Sequence, residues 1–191
     1  MRRRTLLKWV SGCLGSLCAS VVGIPGVSFV LQALKKSRSD GDRVRRVARL
    51  KDLPVGKPVA VPIVGAREDA WTVHSDEVLG RVWLVRKKSD AKEGTEASAE
   101  VMAFSATCPH LGCAVLHDAK EGRFVCPCHR AIFGLDGERI AATKGVQKNP
   151  SPRAMDLLDC RLVTDDATQE VWVEVTYQKF EQGLTKKVLK A

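Results

Sequence analysis

Apolar and polar positions divide the chain into two regimes. From Trp9 to Leu34, 26 consecutive residues carry no charge. Such a run predicts a helix about 39 Å long, enough to cross a ~30 Å hydrocarbon layer with some tilt. Gly23, Pro25 and Gly26 lie within it, and a membrane helix tolerates them because neighbouring groups satisfy the freed carbonyls. From Asp52 onward, short runs rich in Val, Ile and Trp are separated by Gly, Pro, Asp and Ser: residues 59–64, 71–73, 81–85, 101–104 and 171–175. These are strand signals. In the last run Val171, Val173 and Val175 share one face and Trp172 and Glu174 the other, as in a half-buried strand. No stretch beyond residue 40 sustains a helical period, so the larger part of the chain is predominantly β. Residues 88–99 are polar and read as a loop between strands, and residues 35–51 read as a charged, pliable connector. The expected organisation is a basic segment 1–8, an anchor helix 9–34, a linker or hinge 35–51 and a β-domain 52–191.

Length and composition set the scale. With 191 residues, 45% hydrophobic and 28% charged, the chain holds one ordinary domain plus a short appendage, which excludes a large multidomain enzyme and a chain disordered throughout. The net charge of +9 is unevenly placed. Residues 1–51 hold 12 of the 31 Lys/Arg and 2 of the 22 Asp/Glu, leaving 19 against 20 in the remainder. Basicity thus belongs to the leader and linker, and with only 5% aromatics this points to a membrane and away from nucleic acid. Arg2-Arg3-Arg4-Thr5-Leu6-Leu7-Lys8 resembles the twin-arginine export signal. That resemblance implies a cytoplasmic N-terminus and a folded domain outside the membrane, an orientation that Lys35, Lys36 and Arg38 would leave undecided on charge alone. No small-x-small cleavage site follows the apolar run, so the anchor is read as retained. Val10-Ser11-Gly12-Cys13 imitates a lipoprotein box, but the apolar run before it is too short, and Cys13 and Cys18 are read as small apolar residues of the helix.

Chemistry concentrates between residues 108 and 129. Cys108-Pro109-His110-Leu111-Gly112-Cys113 is followed by Cys126-Pro127-Cys128-His129, so six of the chain's eleven Cys and His residues fall in one short stretch. Each group is bounded by turn-forming Pro or Gly, which suggests two loops aimed at one point. A structural zinc site is one reading of such spacing. Six donors exceed what one zinc needs, and adjacent Cys128 and His129 are awkward for a single tetrahedron.

The two groups resemble the boxes of the Rieske 2Fe-2S family, Cys-x-His-x-Gly-Cys and Cys-x-Cys-His, with a match extending over about residues 100–157. The resemblance implies an antiparallel Rieske-like β-sandwich with a single N-terminal transmembrane helix and one 2Fe-2S cluster in loops 108–113 and 126–129. It assigns Cys108 and Cys126 to the inner iron, His110 and His129 to the outer iron near solvent, and Cys113 and Cys128 to a disulfide. Leu111, Gly112, Arg130, Ala131 and Phe133 would surround the cluster. Asn149-Pro150-Ser151-Pro152-Arg153 resembles the family's Gly-Pro-x-Pro covering loop, with Asn149 where Gly is usual. Imidazoles in place of two thiolates remove negative charge and put Rieske potentials in a range of about −150 to +300 mV.

The paired Cys113 and Cys128 favour the quinol-oxidising branch of the family over its ferredoxins and ring-hydroxylating oxygenases. On that analogy the chain is the redox subunit of a quinol–cytochrome c reductase. It would sit in a bacterial inner membrane and work with a cytochrome b subunit, a c-type cytochrome or equivalent acceptor, and quinol. His129, with His110, would bind and deprotonate the quinol. The small subunit of an exported molybdenum enzyme such as arsenite oxidase is the alternative. Many respiratory members follow the second His with Gly-Ser-x-Tyr, whereas this chain reads Arg130-Ala131-Ile132-Phe133. The two missing hydroxyl donors predict a lower potential, suited to a low-potential quinol such as menaquinol. His74 and His117 read as surface or packing residues, Cys160 as a buried thiol, and Trp71, Trp83 and Trp172 as core or sheet-face residues.

Overall fold

The computed structural model describes residues 2–34, 44–68, 72–87, 99–141 and 148–190. Residues 35–43 of the expected linker, Trp71 and residues 88–98 of the expected polar loop lie outside the described residues. The chain divides into two compact units, residues 1–38 with 67–74, and residues 39–66 with 75–191.

Helix α1 spans Arg3–Leu34 and runs unbroken through Pro25. Its 32 residues make it about 48 Å long. It starts before the expected Trp9, because backbone hydrogen bonding continues through Arg3, Arg4 and Lys8, whereas the absence of charge marks only the apolar part. Large apolar side chains from Leu6 to Leu31 are all more than half exposed. Among the described residues this is one helix long and apolar enough to cross a membrane.

The remainder is β, as the residue pattern predicts. The strands are β1 (Val44–Arg49), β2 (Val59–Glu68), β3 (Val73–Arg86), β4 (Val101–Ser105), β5 (Leu116–Asp118), β6 (Arg123–Cys126), β7 (Ala131–Phe133), β8 (Leu157–Leu158), β9 (Cys160–Thr164) and β10 (Val171–Thr176). They form three sheets, ordered β1-β10-β9, β2-β3-β4-β8 and β5-β6-β7. Val173 and Val175 are fully buried on one face of β10, while Trp172 and Glu174 are half-buried on the other.

The linker requires a correction. Residues 44–49 are an antiparallel partner of β10, and Leu50, in the 3-10 turn that follows, is fully buried. The arginines that gave this stretch its solvated look are paired with acidic side chains. Arg46 reaches Asp165 at 2.8 Å and Glu174 at 3.1 Å, and Arg49 reaches Asp52 at 3.0 Å. Cys160 also differs from expectation: it is half-buried, and its thiol donates to the Val101 carbonyl at 3.0 Å.

Two apolar clusters hold the β-domain together. One joins Leu53, Ile63, Val82, Leu84, Leu158, Val173, Val175, Tyr177 and Phe180. The other packs Phe104, Phe124 and Phe133 with Val115, Met155 and the two cysteines Cys108 and Cys126. Those three rings are at most 2% exposed. Burial of one such side chain contributes about 1.5–3 kcal/mol, so the second cluster is a stiff platform for the loops above it.

Candidate metal centre

Both cysteine–histidine loops are built the same way. In the first, the Gly112 amide donates to the Cys108 carbonyl at 2.9 Å, the Cys108 amide donates to the Cys113 carbonyl at 2.7 Å, and Thr107 bridges Ala114. In the second, the Arg130 amide donates to the Cys126 carbonyl at 3.0 Å, and Cys126 pairs with Ala131 across β6 and β7. Each i to i+4 turn ends on a left-handed residue, Gly112 at φ +83° and Arg130 at φ +58°. Glycine adopts that conformation freely, whereas Arg130 carries a Cβ and is strained. Arg130 stands where the family pattern usually has Gly.

These turns bring the expected donors together in two pairs, Cys108 with Cys126 and His110 with His129. Cys108 and Cys126 are at most 1% exposed. Burial pushes the Cys108 thiol up to about 11; the His110 and Leu111 amides, donating to its sulfur, oppose this, and the adjacent Cys126 sulfur reinforces it. A metal's positive charge releases the protons of two such neighbouring thiols, and the two amides remain as donors to the ligand sulfur. The His110 and His129 rings stand edge to face with centroids 4.8 Å apart, His110 half-buried and His129 exposed. The remaining two cysteines are already joined as the Cys113–Cys128 disulfide. Its two sulfurs and that of Cys126 lie within 4.8 Å of one another, so the staple abuts the donor set without supplying a ligand. Two buried thiols and two imidazoles fit a Rieske-type cluster. By the chain-entropy argument a bridge closing a loop of this length contributes about 3 kcal/mol.

The surrounding positions divide into tip and platform. Leu111 is 62% exposed at the tip, while Ala131 and Phe133 are fully buried in the core beneath. The loop of Asn149, Pro150 and Pro152 is tied to the strand leaving the second box. Asn149 Nδ2 donates to the Ile132 carbonyl at 2.6 Å and the Ile140 carbonyl at 3.2 Å, and its Oδ1 accepts from the Ser151 amide at 3.1 Å. The departure from glycine therefore supplies a tether. His117 packs edge-on against Phe124 and Trp83, and Trp83 Nε1 donates to the Val115 carbonyl at 3.0 Å.

Several contributing residues carry no local signature. Asp156, Gln182 and Gly183 lie far along the chain from the boxes, yet Gly183 donates its amide to the Pro109 carbonyl at 2.9 Å, and Gln182 packs beside Gly112. Only contact in the folded chain reveals them.

The fold and the donor set define an iron–sulfur electron-transfer domain, and the Rieske [2Fe-2S] domain family matches residues 44–153. More than half of the chain is covered, and the protein belongs to that family and carries its 2Fe-2S cluster. Among named relatives it is 27% identical to the cytochrome b6-f complex iron-sulfur subunit of Gloeobacter violaceus, over 93% of this chain and 87% of the relative. It is 28% identical to the menaquinol:cytochrome c reductase iron-sulfur subunit of Bacillus subtilis, over 74% of this chain and 78% of the relative. A solved chain from a hyperthermophilic respiratory Complex III aligns over 85% of this chain and 98% of its own, at 18% identity and TM-score 0.39.

Proposed function

We propose that the protein is the membrane-anchored Rieske subunit of a quinol–cytochrome reductase. The observation that carries this reading is the donor set itself, two buried thiols and two imidazoles on stapled loops, with His129 open to solvent. Cys108, His110, Cys126 and His129 would hold the cluster, which when bound accepts one electron at a time. His129 would accept a hydrogen bond from a quinol hydroxyl and take up its proton. His110, packed against it, would fix the ring's orientation. The relatives named above favour this reading over the molybdenum-enzyme alternative. The partners would be a cytochrome b subunit, taking the quinol's second electron, and a c-type cytochrome or equivalent acceptor. The buried, hydroxyl-free Ala131 and Phe133 support a low-potential quinol such as menaquinol.

Helix α1 would anchor the subunit in a bacterial inner membrane. The Arg2–Lys8 segment would direct twin-arginine export, leaving the N-terminus cytoplasmic and the β-domain outside. Of the expected linker 35–51, residues 44–50 are held in the β-domain and would not serve as the hinge. Electron paramagnetic resonance of gently reduced membranes, paired with identification of co-purifying proteins, tests the whole reading. A Rieske signal with a cytochrome b partner is expected. Zinc without iron or labile sulfide would refute the electron carrier, and a molybdopterin subunit would refute the quinol complex.

A further inference from the structure

The segment after β10 returns across the first cluster loop. Residues 179–190 fold back on themselves: the Lys190 amide donates to the Lys179 carbonyl at 2.8 Å, the Glu181 amide donates to the Val188 carbonyl at 2.9 Å, and Phe180 bridges Leu189. Phe180 roots this fold in the core at 4% exposure, with Lys187 Nζ 4.5 Å above its ring. Between the two arms, the Gly183 amide donates to the carbonyl of Pro109, the residue between Cys108 and His110. Gly183 takes φ +76°, and a side chain there would lie 3.8 Å from the His110 carbonyl.

Arg153 fixes this crossing. Its Nε and Nη2 form a two-pronged pair with Asp156, both at 2.8 Å. Nη2 also donates to the Glu181 carbonyl at 2.7 Å and Nη1 to the Leu184 carbonyl at 2.6 Å, one on each side of Gly183. The Arg153 and Asp156 side chains are 8% and 5% exposed. The Arg153 carbonyl in turn accepts the Ser151 hydroxyl at 2.7 Å, between the two prolines. One buried guanidinium thus joins the proline-rich loop to the segment that presses on the first box. A planar fork with several donors suits this role, and an ammonium does not.

We propose that residues 179–190 form a strap over the first cluster loop and that Arg153 is a positioning residue, fixing strap and proline-rich loop together so that His110 keeps its orientation. The inference rests on the ligand set of the preceding reading. It adds to the cluster site a closing element outside the boxes and the proline-rich loop.

The test compares full-length, cluster-loaded wild type with Arg153→Gln and Gly183→Ala. The first variant removes the fork; the second leaves it intact and strains only the crossing. Two readouts are used, the resonance spectrum of the reduced cluster and the rate of iron release to ferrozine. Both variants are expected to keep the disulfide and one cluster per chain, to shift the spectrum, and to release iron at least about tenfold faster than wild type. Arg153→Lys should restore less than half of the loss. Wild-type spectra and release rates in the folded variants would overturn the proposal, and Gly183→Ala alone decides if Arg153→Gln does not fold. A wild type lacking iron would instead overturn the ligand set.

Discussion

Asn149 provides a quantitative test of how the proline-rich loop is held. Replacing it with Ala deletes three hydrogen bonds at a half-buried site, two from Nδ2 and one to Oδ1. The Ile132 carbonyl keeps a second donor, the Ile140 amide at 3.0 Å, so its loss is incomplete. At about 1 kcal/mol net per bond, with that discount, the variant should lose about 2 kcal/mol. For a domain of this size, 1 kcal/mol moves the unfolding temperature by about 2–4 °C, so a fall of about 4–8 °C is expected. The assay is thermal unfolding of the cluster-loaded protein in detergent, followed by tryptophan fluorescence. Asn149→Gly serves as the control because it restores the residue of the family pattern. It should fall as far as Asn149→Ala, since neither carries the carboxamide. A fall under about 2 °C on this scale, or full stability in the glycine variant, would refute the tether.

Three further outcomes follow from the same structure. Ala131→Ser places a hydroxyl in a fully buried site beside Cys126, where sulfur is an available acceptor, and should raise the cluster's midpoint potential in a redox titration; an unchanged or lower value contradicts the donor argument. Arg130→Gly should relieve the strain of φ +58° and raise the denaturant midpoint by the equivalent of about 1 kcal/mol; no gain would mean that the guanidinium makes up for the strain. The Asp165 carboxyl is held below its ordinary 3.8, chiefly by its hydrogen bond from Arg46. A depressed folded pKa stabilises above the unfolded value, and that gain disappears as pH falls through the folded one. The stability gap between wild type and Arg46→Ala should therefore be present at about pH 6 and shrink below about pH 4, as denaturant titrations across pH would show.

The strands with clean alternation and the two boxes were legible in the sequence because their signals are local. Val171–Val175 alternates because one face packs on the core, and the short spacing from Cys108 to His129 marks a metal site, with the cluster assignment following from the family resemblance. Strand β1 was hidden for a physical reason. Its register shifts between Arg46 and Ala48, so the period of two breaks at Val47, and Arg46 meets Asp165 and Glu174 only after the chain has folded. Asn149 looked like a weakened match because its value lies in carbonyls at Ile132 and Ile140. The strap was beyond reach for the same cause, since Gly183 and Pro109 meet across more than seventy residues of chain.

The staple between Cys113 and Cys128 also bears on which ion the site admits. Were it open, both sulfurs would be free thiols within 4.8 Å of Cys126, three sulfurs of the kind zinc favours in one place. Closing the bridge takes two of those three sulfurs out of competition. It leaves the two buried thiols and the two imidazoles as the Cys and His side chains of these loops open to a metal.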